Sequence, residues 1–208
     1  PLEVLVTVDE ETGMYGAFAL EGGLLQGKTL LNLDSEAEGE LYVGCAGGVD
    51  TTAKFAYTPV EVEEGDVAVK VSVTGCKGGH SGCDIHLQRA NANKLLFRFL
   101  KEAVANYEAR LASVEGGSLR NAIPREASAI ITIPAEGLDE VMDLVAEFED
   151  LFVAEYDGVE DNIRFMAEQV ECPATELPED VQDFLIHAIT ACPHGVYRVI
   201  PEMPDVVE

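Results

Sequence analysis

Between residues 67 and 170 the apolar positions change period several times, and no other feature of the chain limits its fold as much. Val67, Val69, Val71 and Val73 alternate with Ala68, Lys70, Ser72 and Thr74, the two-residue period of a half-buried strand. Leu87, Ala92, Leu95, Leu96, Phe99, Ala103 and Tyr107 then keep helical spacing over roughly six turns, with Arg89, Lys94, Arg98 and Lys101 on the polar face. RLASVE (110–115) and ASAIITI (127–133) read as strands on either side of the loop GGSLRNAIPRE. Leu138, Val141, Met142, Val145, Phe148 and Phe152 form a second helical stripe, and IRFMAEQV (163–170) a last strand. The order β-α-β-β-α-β predicts a ferredoxin-like α+β domain, an antiparallel sheet carrying both helices on one face. A helix over 178–191, with Phe184, Leu185 and Ala188 inward, and a strand in PHGVYRVI (193–200) extend it.

The first 50 residues have a different character. Leu2, Val4, Val6 and Val8 alternate, with Leu5 on the other face, and predict a buried strand ending at Asp9-Glu10-Glu11. KTLLNLD (28–34) predicts a second strand ending on Asp34, ELYVGC (40–45) a third, and MYGAFAL (14–20) one or two helical turns. The expected organisation is therefore α/β, with a partial sheet segment at 1–50 and the ferredoxin-like unit at 51–208. Ligands of open α/β sheets bind beyond the carboxyl ends of the strands. Unpaired carboxylates are costly at a buried strand end unless a cation neutralises them. Glu10 and Glu11 would point opposite ways on a regular strand, so a common site needs the chain to turn there, which Gly13 permits. One could then hold a metal while its neighbour handles a proton; the alternative is a solvated acidic turn.

The 208 residues, 47% of them hydrophobic, suit one large domain or two small ones. There is no cationic start with an apolar run behind it and no apolar stretch of about 20 residues, so neither a signal peptide nor a membrane span is expected. Thirteen basic against 39 acidic residues, net −26, argue against nucleic acid as a partner. Most of the excess lies late, with twenty Asp and Glu between Glu136 and Glu208 against Arg164 and Arg198 alone. A solvated, solubilising surface accounts for it, and a cation-rich partner is the sharper alternative. Five cysteines, an odd number without a CxxC pair, fit a reducing cytoplasm. The chain begins without Met in a strand already under way and stops at PDVVE, which reads as an excised fragment.

CKGGHSGCDIH (76–86) crowds two cysteines, two histidines and an aspartate into one segment. The gaps between Cys76, His80, Cys83 and His86 do not match the tight ligand pairs of structural zinc sites. Two other readings stay open: a Gly-rich turn before a helix that Asp84 caps, and a catalytic or substrate-contacting histidine on a flexible loop. In SLRNAIPRE, Pro124 would stiffen a loop presenting Arg120 and Asn121, a pair able to grip a carboxylate or to serve as an ordinary capped turn.

TVDEETGMYGA, LNLDSEAEGELYVGCAGGVD, GCKGGHSG, NANKLL and LRNAIPREA, in that order, resemble the aminoacyl-histidine dipeptidases (Xaa-His dipeptidase, peptidase D) of the M20 clan of dinuclear metallopeptidases. The resemblance runs to about residue 133 and returns at ACPHGVYRVI. It implies an α/β catalytic domain that binds two divalent cations, usually zinc, and a lid that closes over the dipeptide and offers a route to a homodimer. On that resemblance Glu10 is the general base toward a metal-bridging water, Glu11 and Asp34 are metal ligands, and His80 stabilises the developing oxyanion. Arg120 and Asn121 belong to the substrate grip, and Cys76, Cys83 and His86 fall back to structural roles. The chemistry suits the residue types, since metal acidifies water, a carboxylate takes its proton and an N–H donor offsets charge on oxygen. The family's upstream His-x-Asp motif, bridging Asp and downstream His ligand are absent. The expectation is therefore an inactive fragment without a tightly bound metal pair, its lid (51–208) incomplete at the C-terminal end, from a cytoplasmic dipeptidase. Two readings compete with it: a non-catalytic ferredoxin-like module that dimerises by its sheet edge or helices, and a small-molecule-binding regulatory domain.

Overall fold

The computed structural model describes residues 2–35, 37–45 and 47–207, and the chain divides into two compact units, Pro1–Thr52 and Ala53–Glu208.

In the second unit, alternation in the sequence becomes a four-stranded antiparallel sheet. Its strands are β2 (Asp66–Thr74), β4 (Arg110–Gly116), β6 (Ala127–Pro134) and β7 (Arg164–Val170), ordered β4-β6-β2-β7. Helix α3 (Ala92–Asn106) connects the first two of these strands and α4 (Leu138–Glu155) the last two, giving the ferredoxin-like path. Val69, Val71 and Val73 of β2 and Ala129, Ile131 and Ile133 of β6 are buried with Leu95, Leu96, Phe99 and Ala103 of α3 and Val141, Val145 and Phe152 of α4. Phe99, Phe148, Phe152 and Phe165 interlock edge to face, with ring centroids 5.0–5.6 Å apart, a geometry that aromatic quadrupoles favour.

The opposite sheet face is covered at one end. There β1 (Val60–Glu61) pairs with β8 (Thr175–Glu176), and buried Thr132 donates its hydroxyl to the Glu176 carboxylate, which also lies 3.6 Å from Arg110. Helix α5 (Glu179–Ala191) packs on α3, and Lys94 Nζ donates to the carbonyls of Ile189 (2.6 Å) and Cys192 (2.6 Å), a cation on a helix C-terminus. Two short ladders complete the unit: β3 (Gly79–His80) with β5 (Ala122–Ile123), and β9 (Val199–Ile200) with β10 (Met203–Val207).

Three details depart from the sequence reading. The helix starts at Ala92, because Gln88 takes a left-handed conformation (φ 54°) and the Asn91 side chain accepts the Lys94 N–H. Asp84 is not its cap; its carboxylate accepts the His80 N–H at 2.8 Å. On α5 Leu185 packs against the core as expected, but the buried residues are Gln182 and Ile186, while Phe184 is 64% exposed and Ala188 also faces outward. Gln182 is drawn inside because its side-chain oxygen accepts the Leu111 N–H at 2.6 Å on the outer edge of β4.

The first unit contains two single-turn helices, α1 (Glu10–Gly13) and α2 (Tyr15–Phe18). Among the described residues, the segments read as strands at 2–8, 28–34 and 40–45 make no ladder, and Val4, Val6, Leu41 and Val43 are 79–101% exposed. Alternation marks a face that can be buried, but a strand also needs a neighbour for its N–H and C=O groups, and among the described residues of this unit none supplies one.

Candidate functional site elements

The loop between β2 and α3 is built around backbone conformations that glycine allows. Gly75 (φ 77°) lies so close to the Asn162 carbonyl that a Cβ would collide with it. Gly79 (φ 144°) lies against Arg89 and Asp84, with room for no side chain. Arg89 Nη1 donates to the Gly78 carbonyl at 2.7 Å and lies 3.5 Å from Asp84. The base of the loop is held from below: Glu160, only 8% exposed, accepts the N–H of Lys77 at 2.8 Å and that of Ala90 at 2.9 Å.

His80 sits on this scaffold with an exposed ring. Its Nδ1 accepts the backbone N–H groups of Gly82 (3.0 Å) and Cys83 (3.1 Å). A nitrogen that accepts carries no proton, so the network assigns the proton of the neutral ring to Nε2, which is left as a donor. The β3–β5 ladder aligns His80 with Ala122, and Ser81 N–H donates to the Asn121 carbonyl at 2.8 Å. The structure therefore brings His80 beside the turn that carries Arg120 and Asn121; Arg120 is exposed and Asn121 half-buried.

Next to this ladder lies a cavity of about 470 Å³ lined by Ser81, Asn91, Asn93, Ser118, Arg120 and His194 among others, with no Asp or Glu in its wall. His194 was not singled out from the sequence, although its motif was. Because the Asn91 oxygen is occupied by the Lys94 N–H, its amide nitrogen faces His194 Nδ1 at 3.1 Å and donates to it. His194 Nε2 is left to donate to the Arg89 carbonyl at 3.4 Å. Glu160 was missed as well, since it stands among many acids and its partners are distant in sequence.

A zinc site in CKGGHSGCDIH (76–86) fails on burial and position. Cys76 is buried, its thiol pushed up to about 12 by desolvation and by the Glu160 carboxylate, so it is no ready thiolate ligand. Among the described residues no three His, Cys, Asp or Glu side chains gather to hold an ion.

In the first unit the chain does turn at the acidic run. Asp9 (φ 55°) and Met14 (φ 60°) take left-handed conformations on either side of α1, and Gly16 N–H donates to the Val8 carbonyl at 3.1 Å. Glu10 and Glu11 are consecutive residues of α1 and exposed; Asp34 is exposed, its backbone N–H donating to the Asn32 side chain at 3.1 Å.

Residues 71–160 match the family model described as a peptidase dimerisation domain, M20_dimer. All 208 residues align at 42% identity with the cytosol non-specific dipeptidase of Escherichia coli (strain K12), spanning 43% of that protein. The aminoacylhistidine dipeptidase of Vibrio alginolyticus superposes with a TM-score of 0.80 at 42% identity, over 97% of this chain and 41% of that one. The chain thus spans less than half the length of the relatives it matches. Along its whole length it is similar to these dipeptidases, and residues 71–160 are similar to the peptidase dimerisation domain.

Proposed function

We propose that this chain is part of a cytoplasmic, metal-dependent dipeptidase acting on Xaa-His dipeptides such as beta-alanyl-histidine. In this reading residues 1–50 belong to the catalytic domain and 51–208 to the lid, which also forms a homodimer. One observation carries it: the His80 ring is oriented by two backbone amides so that Nε2–H faces outward as a donor, beside the loop of Arg120 and Asn121. A fixed N–H donor is what a tetrahedral intermediate requires at its oxyanion. Arg120 and Asn121 take the dipeptide's carboxylate, Arg120 through charge-assisted hydrogen bonds. Glu10 takes the proton of the attacking water as general base, and Glu11 beside it is a metal ligand. The bare alternating segments of the first unit are read as strands of a larger sheet, which their exposed valines and leucines favour.

Two divalent cations, zinc by the family resemblance, belong to the whole enzyme, with Glu11 and Asp34 as candidate ligands. These two do not make a site: both are exposed, no third donor gathers with them among the described residues, and a cation on two carboxylates and water is weakly held. The chain alone is expected to hydrolyse nothing and to hold no tight metal pair; calorimetric zinc titration revealing two high-affinity sites would overturn that part. In the whole protein, Glu10→Ala should abolish turnover of an Xaa-His dipeptide while metal content stays near wild type. Loss of both together would contradict the separate roles of Glu10 and Glu11.

A further inference from the structure

We propose that Glu160 is a positioning residue for His80, acting through the two ends of the loop that carries it. The inference rests on the oxyanion role just given to His80, but its evidence is separate. The Glu160 side chain is nearly enclosed, and it accepts hydrogen bonds from the backbone amides of Lys77 and Ala90, one with each carboxylate oxygen. Those two residues bracket the His80 loop, so one carboxylate fixes where the loop leaves the sheet and where it enters α3. Charge-assisted hydrogen bonds out of water are strong and directional, which suits a group that must hold backbone rather than side chains.

The neighbourhood has the features such a clamp needs. Lys77 Nζ donates to the Val159 carbonyl and pairs with Asp161 at 2.9 Å, tying the same loop end to both neighbours of Glu160. Above the clamp, Arg89 on Gly78 and Asp84 on the His80 N–H brace the interior of the loop. The ring contacts of His80 are made to the amides of Gly82 and Cys83, inside the clamped segment. Releasing either end lets that segment change shape, and with it the orientation of the ring.

The test uses Glu160→Gln in the full chain, with Glu176→Gln as control. Glu176 is an equally buried carboxylate, but its partners are Thr132 and Arg110, outside the loop. Glutamine keeps one acceptor oxygen and replaces the other with a donor, so one of the two loop amides loses its partner. Nitrogen NMR of the imidazoles reads the His80 tautomer directly. The expected result is that E160Q moves the His80 Nδ1 signal from the accepting state toward the average of a free ring, whereas E176Q leaves it in place. Hydrogen exchange supplies a second readout: the Lys77 or Ala90 amide should exchange about tenfold or more faster in E160Q, the factor that one hydrogen bond to a charged group represents. Should E160Q fail to fold, wild-type exchange decides alone, and unprotected Lys77 and Ala90 amides would overturn the clamp. An unchanged His80 signal in a folded E160Q, with a loss of melting temperature matching that of E176Q, would reduce Glu160 to a stabilising group. Neither result depends on turnover, so failure of the clamp can be told apart from failure of the oxyanion role.

Discussion

Gly79→Ala tests whether the His80 loop is as tightly determined as its geometry implies. Gly79 has φ 144°, and a Cβ there would lie 2.5 Å from Arg89 Nη1 and 2.7 Å from Asp84 Oδ2. Both atoms end movable side chains, but Asp84 Cβ, 2.9 Å away, moves only with its backbone, so the clash is relieved in part and only by giving up what those atoms do. Arg89 would leave the Gly78 carbonyl and Asp84 the His80 amide. The unfavourable backbone costs about 1–3 kcal/mol, and one lost charge-assisted hydrogen bond about 1.5–3 kcal/mol. Counting one of the two bonds, a total of about 2.5–6 kcal/mol follows, or about 5–24 °C in melting temperature for a unit of this size. Gly137→Ala is the matched control: Gly137 has φ −86° and nothing within 4 Å of its missing Cβ, and the gain from a stiffer unfolded chain is offset by alanine's poorer capping of α4, so stability should change by less than ~1 kcal/mol. Urea or thermal unfolding of the two variants beside wild type provides the measurement. Equal stability of G79A and wild type would refute the claim that this backbone position is fixed.

Two further outcomes are expected. Glu176→Ala strips a nearly buried carboxylate from Thr132 and Arg110 and should cost about 3 kcal/mol. Glu155→Ala removes the 2.6 Å surface pair with Arg98, both partners about 40% exposed, and should cost less than ~1 kcal/mol; a reversed order in urea unfolding would contradict the burial argument. Cys76 has a folded-state value raised to about 12 from 9.0. The unfolded thiol therefore loses its proton first, and stability should fall by up to ~1.4 kcal/mol per pH unit between these values. Cys76→Ala should lack that part of the slope, and parallel pH profiles for the two proteins would count against the burial of the thiol.

The sequence disclosed those parts of the fold in which one face of an element is uniformly apolar. The strands at 66–74 and 127–134 and the helix at 138–155 fall within a residue or a few of their expected limits, because packing against a single core imposes one period. Where a polar side chain decides the outcome, periodicity misleads. Gln182 turns α5 inward on a hydrogen bond to a strand 71 residues away, and Asn91 starts α3 a turn after its apolar spacing begins. The site shows the same division. His80 and Arg120-Asn121 stand in recognisable motifs, whereas Glu160 contacts amides 83 and 70 residues distant and leaves no local mark. In the first unit the alternation was legible but its consequence was not, since pairing depends on a neighbouring strand that periodicity cannot name.

The central claim is that His80 donates its Nε2–H to the oxyanion of dipeptide hydrolysis. Steady-state kinetics of the whole protein on an Xaa-His dipeptide, wild type against His80→Ala, test it most directly. Loss of a donor that acts chiefly in the transition state should lower kcat by about 10²–10³-fold while changing KM far less. A His80→Ala enzyme with unchanged kcat would contradict the account.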